Sequence, residues 1–238
     1  MSRVVITGTG DGLGRLIAVQ MANQGHQVYG ITLEPGEFTL PGHEFYGDVR
    51  NFGTIWEFSD EIGEIDILVN CAGINRIGFL EEFDEHDWDN VIDTNVKGIF
   101  NTTKAFLPAL KRSKGTVLNI VSNASHMPMT GSLAYNASKG AAHIMTLQLA
   151  RELTKLHGIT VFGISPNKLA GTGMSTDIEK QVCETRGWTP EYAKQYQLNA
   201  LLTGEETDPK VLAEFIAWLL HDKTRHKFLA GCVIPYGA

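Results

Sequence analysis

Cysteine is scarce in this chain: Cys71, Cys183 and Cys232 are the three among 238 residues, odd in number and widely scattered. No CxxC pair or Cys/His cluster has metal spacing, so neither a disulfide framework nor a zinc site is expected. A reducing, cytoplasmic setting is the simplest reading. Long apolar runs are missing too. None approaches the ~18 residues that a membrane span needs. Met1-Ser2-Arg3 leads straight into Val4-Val5-Ile6, without the basic region and apolar core of a signal peptide. Positive charge is in deficit: a net charge of -7 offers no basic stripe for nucleic-acid phosphates and disfavours anionic membranes. Low-complexity linkers and internal repeats are also lacking, which predicts one domain over residues 1–238. What remains is ordinary globular usage, 43% apolar and 20% charged, on a chain long enough to bury a sizeable core.

Short apolar, β-branched runs alternate with stretches of helical periodicity. Residues 4–6, 28–33, 65–69, 116–121, 159–164 and 228–234 read as strands, too short for helices. Between them, residues 13–24, 51–62, 86–113, 133–156 and 209–220 read as helices. Such alternation implies βαβ units with right-handed crossovers, hence an α/β fold whose parallel sheet is covered on both faces. Residues 167–207 break the rhythm. This Gly-, Thr- and Glu-rich insertion, with short helical pieces near 176–184 and 190–198, is expected to form a lid or pocket wall.

Thr7-Gly8-Thr9-Gly10-Asp11-Gly12-Leu13-Gly14 follows the first strand and opens the first helix. Glycines let a backbone approach a pyrophosphate, and the free N–H groups and dipole of the helix favour its charge. Glu34, just past Thr32 and Leu33 at the end of the second strand, stands where an acidic residue would hold the adenosine ribose. No Arg or Lys accompanies it to meet a 2′-phosphate, and Asp11 would repel one; NAD(H) is favoured over NADP(H). Asp48, in Gly47-Asp48-Val49, either accepts from an adenine amino group or caps the following helix.

Tyr135-Asn136-Ala137-Ser138-Lys139 puts a phenol and an ammonium four residues apart on one helix face. A nearby positive charge is expected to draw the phenol pKa down from its ordinary value near 10 toward the working range. Ser122 ends a strand thirteen residues earlier. It thus falls at the carboxyl edge of the sheet, where ligands of α/β folds bind.

With these motifs assembled, the chain resembles the short-chain dehydrogenase/reductase family of single-domain type over nearly its whole length. Thr7 to Gly14 fits the family's TGxxxGxG. Asn70-Cys71-Ala72-Gly73 fits its NNAG turn, with Cys71 in place of the second Asn. Thr94-Asn95-Val96-Lys97-Gly98 fits its helix Asn motif, and Ser122, Tyr135 and Lys139 fit its Ser-Tyr-x-x-x-Lys set. The resemblance implies a three-layer, doubly wound Rossmann fold of about seven strands. It further implies that Tyr135 is the general acid/base and that Ser122 binds the substrate oxygen. Lys139 would lower the Tyr135 pKa and bind the nicotinamide ribose, and Asn95 would hold a water linking Lys139 to solvent. The dinucleotide would meet Gly8, Gly10, Asp11, Gly12, Leu13, Gly14, Thr32, Asp48, Val49, Asn70, Ala72 and Gly73, together with Tyr135 and Lys139. At the nicotinamide end, the usual Pro-Gly is Pro166-Asn167, and the segment after it is one residue longer than usual. Asn167 tolerates a left-handed backbone. Pro166, Leu169 and Thr172 take the remaining contacts, without metal.

The family implies a homo-oligomer, tetramer or dimer, built on the long helices 86–113 and 133–156 and on the tail 228–238. Two other readings stand beside an alcohol/ketone enzyme: a 3-oxoacyl-thioester reductase, and a dinucleotide-sensing protein without catalysis. His126 is a substrate contact or a loop residue, and Met127, Pro128, Met129 and Met174 form an apolar pocket wall. Trp188 and Tyr192 close over substrate or pack the lid. Glu81-Glu82-Phe83-Asp84-Glu85 charges a helix start.

Overall fold

A computed structural model describes residues 1–36 and 42–237. Residues 37–41 and Ala238, at the end of the tail, lie outside the described residues. The chain begins β1 (Arg3–Thr7), α1 (Gly12–Asn23), β2 (Gln27–Thr32), β3 (His43–Tyr46), α2 (Phe52–Ile62) and β4 (Ile67–Asn70). It continues α3 (Glu85–Ile92), a π-helical turn (Asp93–Lys97), α4 (Gly98–Ser113), β5 (Thr116–Ile120), α5 (Leu133–His157) and β6 (Thr160–Pro166). The remainder is α6 (Gly173–Arg186), α7 (Pro190–Asn199), α8 (Pro209–His221), α9 (Lys223–His226) and β7 (Val233–Tyr236). The strands form one seven-stranded sheet in the order β3-β2-β1-β4-β5-β6-β7, and every pairing is parallel. This is a doubly wound Rossmann-type sheet, as the alternation predicted.

Parallel strands buried on both faces need no polar alternation, and β4, β5 and β6 are buried at every residue. On one face Ile17, Met21, Ile216 and Leu220 of α1 and α8 pack onto Val4, Ile6, Leu118 and Phe162. On the other, Ile55, Phe106, Leu110 and Leu153 of α2, α4 and α5 cover Val5, Leu68, Val117 and Val161. Each such side chain contributes about 1.5–3 kcal/mol by leaving water.

Three elements depart from the sequence reading. β3 was not expected; it is an edge strand with two of its four residues exposed, so it lacks the apolar run of its neighbours. The single helix expected over 86–113 is two helices joined by the π turn, which holds Asn95. The last strand begins at Val233, because Lys227–Leu229 forms a 3-10 turn and Phe228 is exposed. Asp84 caps α3 by accepting from His86 N at 2.6 Å, with Glu85 and Asp87 in the first turn. The acidic cluster thus opens a helix, where its charge suits the dipole. All three cysteines are free. Among the described residues, no helix is long and apolar enough to cross a membrane, and no group of metal-binding side chains occurs.

Candidate active site

The topology reverses direction at β1, from which the chain runs to β2 on one side and to β4 on the other. A crevice opens there at the carboxyl ends of the strands. A cavity of about 350 Å³ fills it, lined by Gly8, Thr32, Asp48, Val49, Ala72 and Gly73 among others. These are residues that the sequence assigned to a dinucleotide. Gly8 has φ +76, and a Cβ there would lie 2.8 Å from Ala72 Cα. Only glycine allows the β1–α1 turn and the Ala72 backbone to meet so closely. Thr7 Oγ1 holds that approach by accepting from Cys71 N at 3.1 Å and Ala72 N at 3.0 Å. A bare cradle at a helix N-terminus, beside a cavity walled by backbone, fits a pyrophosphate and its nucleoside.

Asp48 lines this cavity but is not a helix cap; Asn51 caps α2 by accepting from Thr54 N. The Asp48 carboxylate accepts from Arg50 N at 2.8 Å and Arg50 Nε at 2.7 Å. Burial opposes its ionisation, but the bonds and charge of Arg50 outweigh burial and hold the carboxyl below the usual range. Thr32 donates to Glu34 O at 3.2 Å, and Glu34 is exposed beyond it. Arg15, which the sequence reading passed over, reaches this end of the crevice. It donates to Thr9 O at 3.2 Å and lies 3.8 Å from Glu44. Asp11 turns the other way and accepts from Gly173 N at 3.1 Å, joining the glycine loop to the start of α6.

The Asn70 side chain does not face the crevice. It donates to Asn119 Oδ1 at 2.8 Å and accepts from Thr102 Oγ1 at 2.6 Å, within a buried network that Asn119 extends to Thr146 at 2.9 Å. Only the Asn70 backbone is left for a ligand.

Ser122, Tyr135 and Lys139 converge past β5 and on the first turns of α5. The Ser122 hydroxyl faces the Tyr135 phenol closely enough to favour its ionised form, yet burial dominates and raises the phenol above its ordinary value. This corrects the expectation of a phenol drawn down by Lys139. The Lys139 Nζ lies 5.7 Å from the Tyr135 ring centroid and donates to Ile120 O at 3.0 Å. Being 6% exposed, the ammonium itself is destabilised, and burial pulls its pKa down to about 8. The neighbouring Cys71 thiol is pushed up to about 12 by burial, so it stays neutral at working pH and supplies Lys139 with no counter-charge.

Asn95 is buried, and both ends of its amide are bonded. Oδ1 accepts from Ile74 N at 2.9 Å, while Nδ2 donates to Ile74 O and Ser138 Oγ, each at 2.9 Å. It clamps the turn after β4 to α5.

At the nicotinamide end, Asn167 does not use a left-handed backbone; Lys114 is the one non-glycine residue with positive φ among those described. Asn167 N donates to Tyr236 O at 3.1 Å, and its carboxamide accepts from Thr207 Oγ1. Thr172 caps α6 by accepting from Ser175 N at 3.1 Å, and Leu169 bridges to Thr207. Across the insertion, Trp188 stacks edge-on against Tyr192 with centroids 4.9 Å apart, and Arg186 lies 4.7 Å over its ring. These aromatics pack the insertion on itself. His126 is exposed beside Ser125, at 3.1 Å.

Lys168 ties the insertion together. Its ammonium, 17% exposed, lies 2.6 Å from both Glu179 and Glu206 and donates to Gln197. Removing it leaves two carboxylates facing each other. Lys168→Met is expected to speed amide exchange in α6 and α7 by about 10- to 100-fold, the ~1.5–3 kcal/mol of a charged hydrogen bond. Unchanged protection by hydrogen-exchange mass spectrometry would show that the insertion is held by its apolar contacts instead.

Moving a hydride to or from an oxygen-bearing carbon needs a cradle for a nicotinamide dinucleotide and a proton-transferring group beside the reacting oxygen. The crevice places the one next to the other, and the chain is an oxidoreductase of the nicotinamide-dependent class. Residues 2–182 match the family model described as short chain dehydrogenase, and the chain belongs to the short-chain dehydrogenase/reductase family. A relative of 31% identity is the 3-oxoacyl-[acyl-carrier-protein] reductase FabG of Staphylococcus epidermidis, with 97% of this chain and 95% of that protein covered. The (3R)-3-hydroxyacyl-CoA dehydrogenase of Canis lupus familiaris is 30% identical, over 76% of this chain and 78% of its own length. In three dimensions the chain is similar to xylitol dehydrogenase with NAD+ bound, at TM-score 0.88 and 21% identity over 99% and 97% of the two chains. It is also similar to a variant actinorhodin polyketide ketoreductase with NADPH, at TM-score 0.87 and 24% identity over 98% and 95%. Those two likenesses bear on the fold.

Proposed function

We propose that this chain, a single domain with a substrate cap at 167–207, interconverts a small-molecule ketone and its secondary alcohol, with Tyr135 as general acid/base. The observation that carries the reading is the meeting of Ser122 and Tyr135 beside the buried Lys139 ammonium, at the edge of the glycine cradle. When bound, the nicotinamide ring supplies or accepts the hydride. The protein's part is proton and charge management. In reduction, the Tyr135 hydroxyl donates its proton to the substrate oxygen, while the Ser122 hydroxyl donates a hydrogen bond to the same oxygen as charge builds there. The Ser122 hydroxyl favours the ionised phenol against burial, Lys139 binds ribose hydroxyls, and Asn95 holds the loop at Ile74 against α5. Gly8, Gly10, Gly12, Leu13 and Gly14 receive the pyrophosphate half; Thr32, Asp48 and Val49 the adenosine; Ala72, Gly73, Pro166, Leu169 and Thr172 the nicotinamide half.

NAD(H) is favoured over NADP(H), because no Arg or Lys follows Thr32 and Leu33 at the end of β2 to meet a 2′-phosphate, and Arg15 is already engaged with Thr9 and Glu44. Fluorescence titration should give a dissociation constant for NADH at least about 10-fold below that for NADPH, a difference of ~1.4 kcal/mol. The reverse order would overturn the preference, and binding of neither would overturn the enzyme itself.

A 3-oxoacyl thioester is the leading alternative substrate, since relatives near 30% identity carry 3-oxoacyl-[acyl-carrier-protein] and 3-hydroxyacyl-CoA in their names. Exposed Phe100 and Ile144 on α4 and α5 support a homo-oligomer built on those helices, and three free thiols suit a cytoplasmic protein.

A further inference from the structure

Asn136 follows the catalytic tyrosine yet points away from the dinucleotide cradle, and its side chain makes more loop contacts than any group in the proposed mechanism requires. Its Nδ2 donates to Ala124 O at 2.6 Å and to Met127 O at 2.8 Å, and its Oδ1 accepts from Met129 N at 3.3 Å. Two carbonyls and one N–H converge on it, a pattern that a carboxamide alone matches among side chains of its size. Residues 126–130 are exposed throughout, so they have little burial of their own to fix them. Ala124 carries the connection onward, since its N–H donates to Ser122 Oγ at 3.2 Å. One residue, Ala124, thus links the Asn136 amide on α5 to the Ser122 hydroxyl past β5.

We infer that Asn136 is a positioning residue that sets the spacing between Ser122 and Tyr135 and holds the 124–129 segment as the substrate-side wall. The inference rests on the proposed function, in which both hydroxyls address one substrate oxygen. A displacement near 1 Å between such groups is enough to cost about 100-fold in rate. Asn136→Leu keeps the shape and removes all three bonds. Asn136→Asp keeps the acceptor for Met129 N but turns a carboxylate oxygen toward two carbonyls; protonation of that carboxyl restores one donor.

With acetoacetyl coenzyme A as the probe carbonyl, both variants should lose about 10- to 100-fold in kcat, with the KM for the dinucleotide unchanged. In Asn136→Asp, part of the loss should return as pH falls from about 8 to about 5, approaching the ordinary carboxyl range; the wild type and Asn136→Leu should show no such recovery. A wild-type kcat in Asn136→Leu overturns the inference, as does a loss carried by dinucleotide affinity or an Asp profile parallel to the Leu profile. Should the wild type turn over no carbonyl probe, the proposed function fails separately. Amide exchange at Ala124 and Met129 then decides: faster exchange in Asn136→Leu without global unfolding supports the inference, and unchanged protection overturns it.

Discussion

Tyr135→Phe is expected to abolish turnover, by roughly 1,000-fold or more, while leaving dinucleotide affinity intact. Phenylalanine fills the same space but has no proton to give, and Ser122 alone can polarise the substrate oxygen without protonating it. The direction of the phenol's pKa adds a second expectation. Burial raises it, so the hydroxyl is protonated through the neutral range. Ketone reduction, which needs that proton, should hold steady through neutral pH and fall only well above it. Alcohol oxidation, which needs the phenolate, should climb with pH over the same range. Steady-state rates in both directions against pH test this, and a Tyr135→Phe enzyme with more than a tenth of wild-type turnover would remove Tyr135 from the mechanism.

Lys139→Met should separate stability from activity. The ammonium is buried, with a pKa of about 8 against an ordinary 10.5, a displacement of about 2.5. At pH 7 both folded and unfolded chains carry the proton, so the folded state bears the whole penalty, at most about 3.4 kcal/mol at 1.36 kcal/mol for each pH unit. Between pH 8 and 10.5 the unfolded chain binds more protons than the folded one, and wild-type stability rises with pH. Methionine has no charge to desolvate, although it leaves the Ile120 carbonyl without its donor. The variant should therefore melt several degrees higher at pH 7, with the advantage fading as pH rises through that window. Its turnover should fall at least about 100-fold. Thermal melts at pH 7 and pH 10 give the answer; an equal or lower melting temperature at pH 7 would mean that the Lys139–Ile120 bond outweighs the cost of burial.

The sheet and the polar set at its edge were legible for one physical reason. Strands buried on both faces must be short apolar runs, and a crevice at their carboxyl ends draws on turns whose residues lie close in sequence, such as Thr7 to Gly14 or Ser122. β3 escaped notice because an edge strand with exposed His43 and Tyr46 needs no apolar run. The π turn escaped because one extra residue in a helix leaves the spacing of apolar residues on either side nearly unchanged, although Asn95 in its centre was the visible trace. Arg15 and Asn136 were hidden differently. Each is an ordinary polar residue on a helix, and each gains its place from partners such as Glu44 or Met129 that only folding brings near. The inward turn of Asn70 has the same origin, since nothing in a four-residue motif says which face of a strand its amide will occupy.

That amide bears on how the strands find one another. Asn70 and Asn119 are paired residues of β4 and β5, and their side chains bond inside the sheet's apolar covering. Hydrophobic strands such as Ile67–Asn70 and Thr116–Ile120 have many nearly equivalent alignments, because one valine packs much like the next. A slip of one residue turns the displaced strand's side chains to the opposite face, parting its amide from both its Asn and its Thr partners at about 1–3 kcal/mol for each lost group. The pair therefore proofreads assembly: it penalises the misaligned sheets that greasy sequence alone would tolerate.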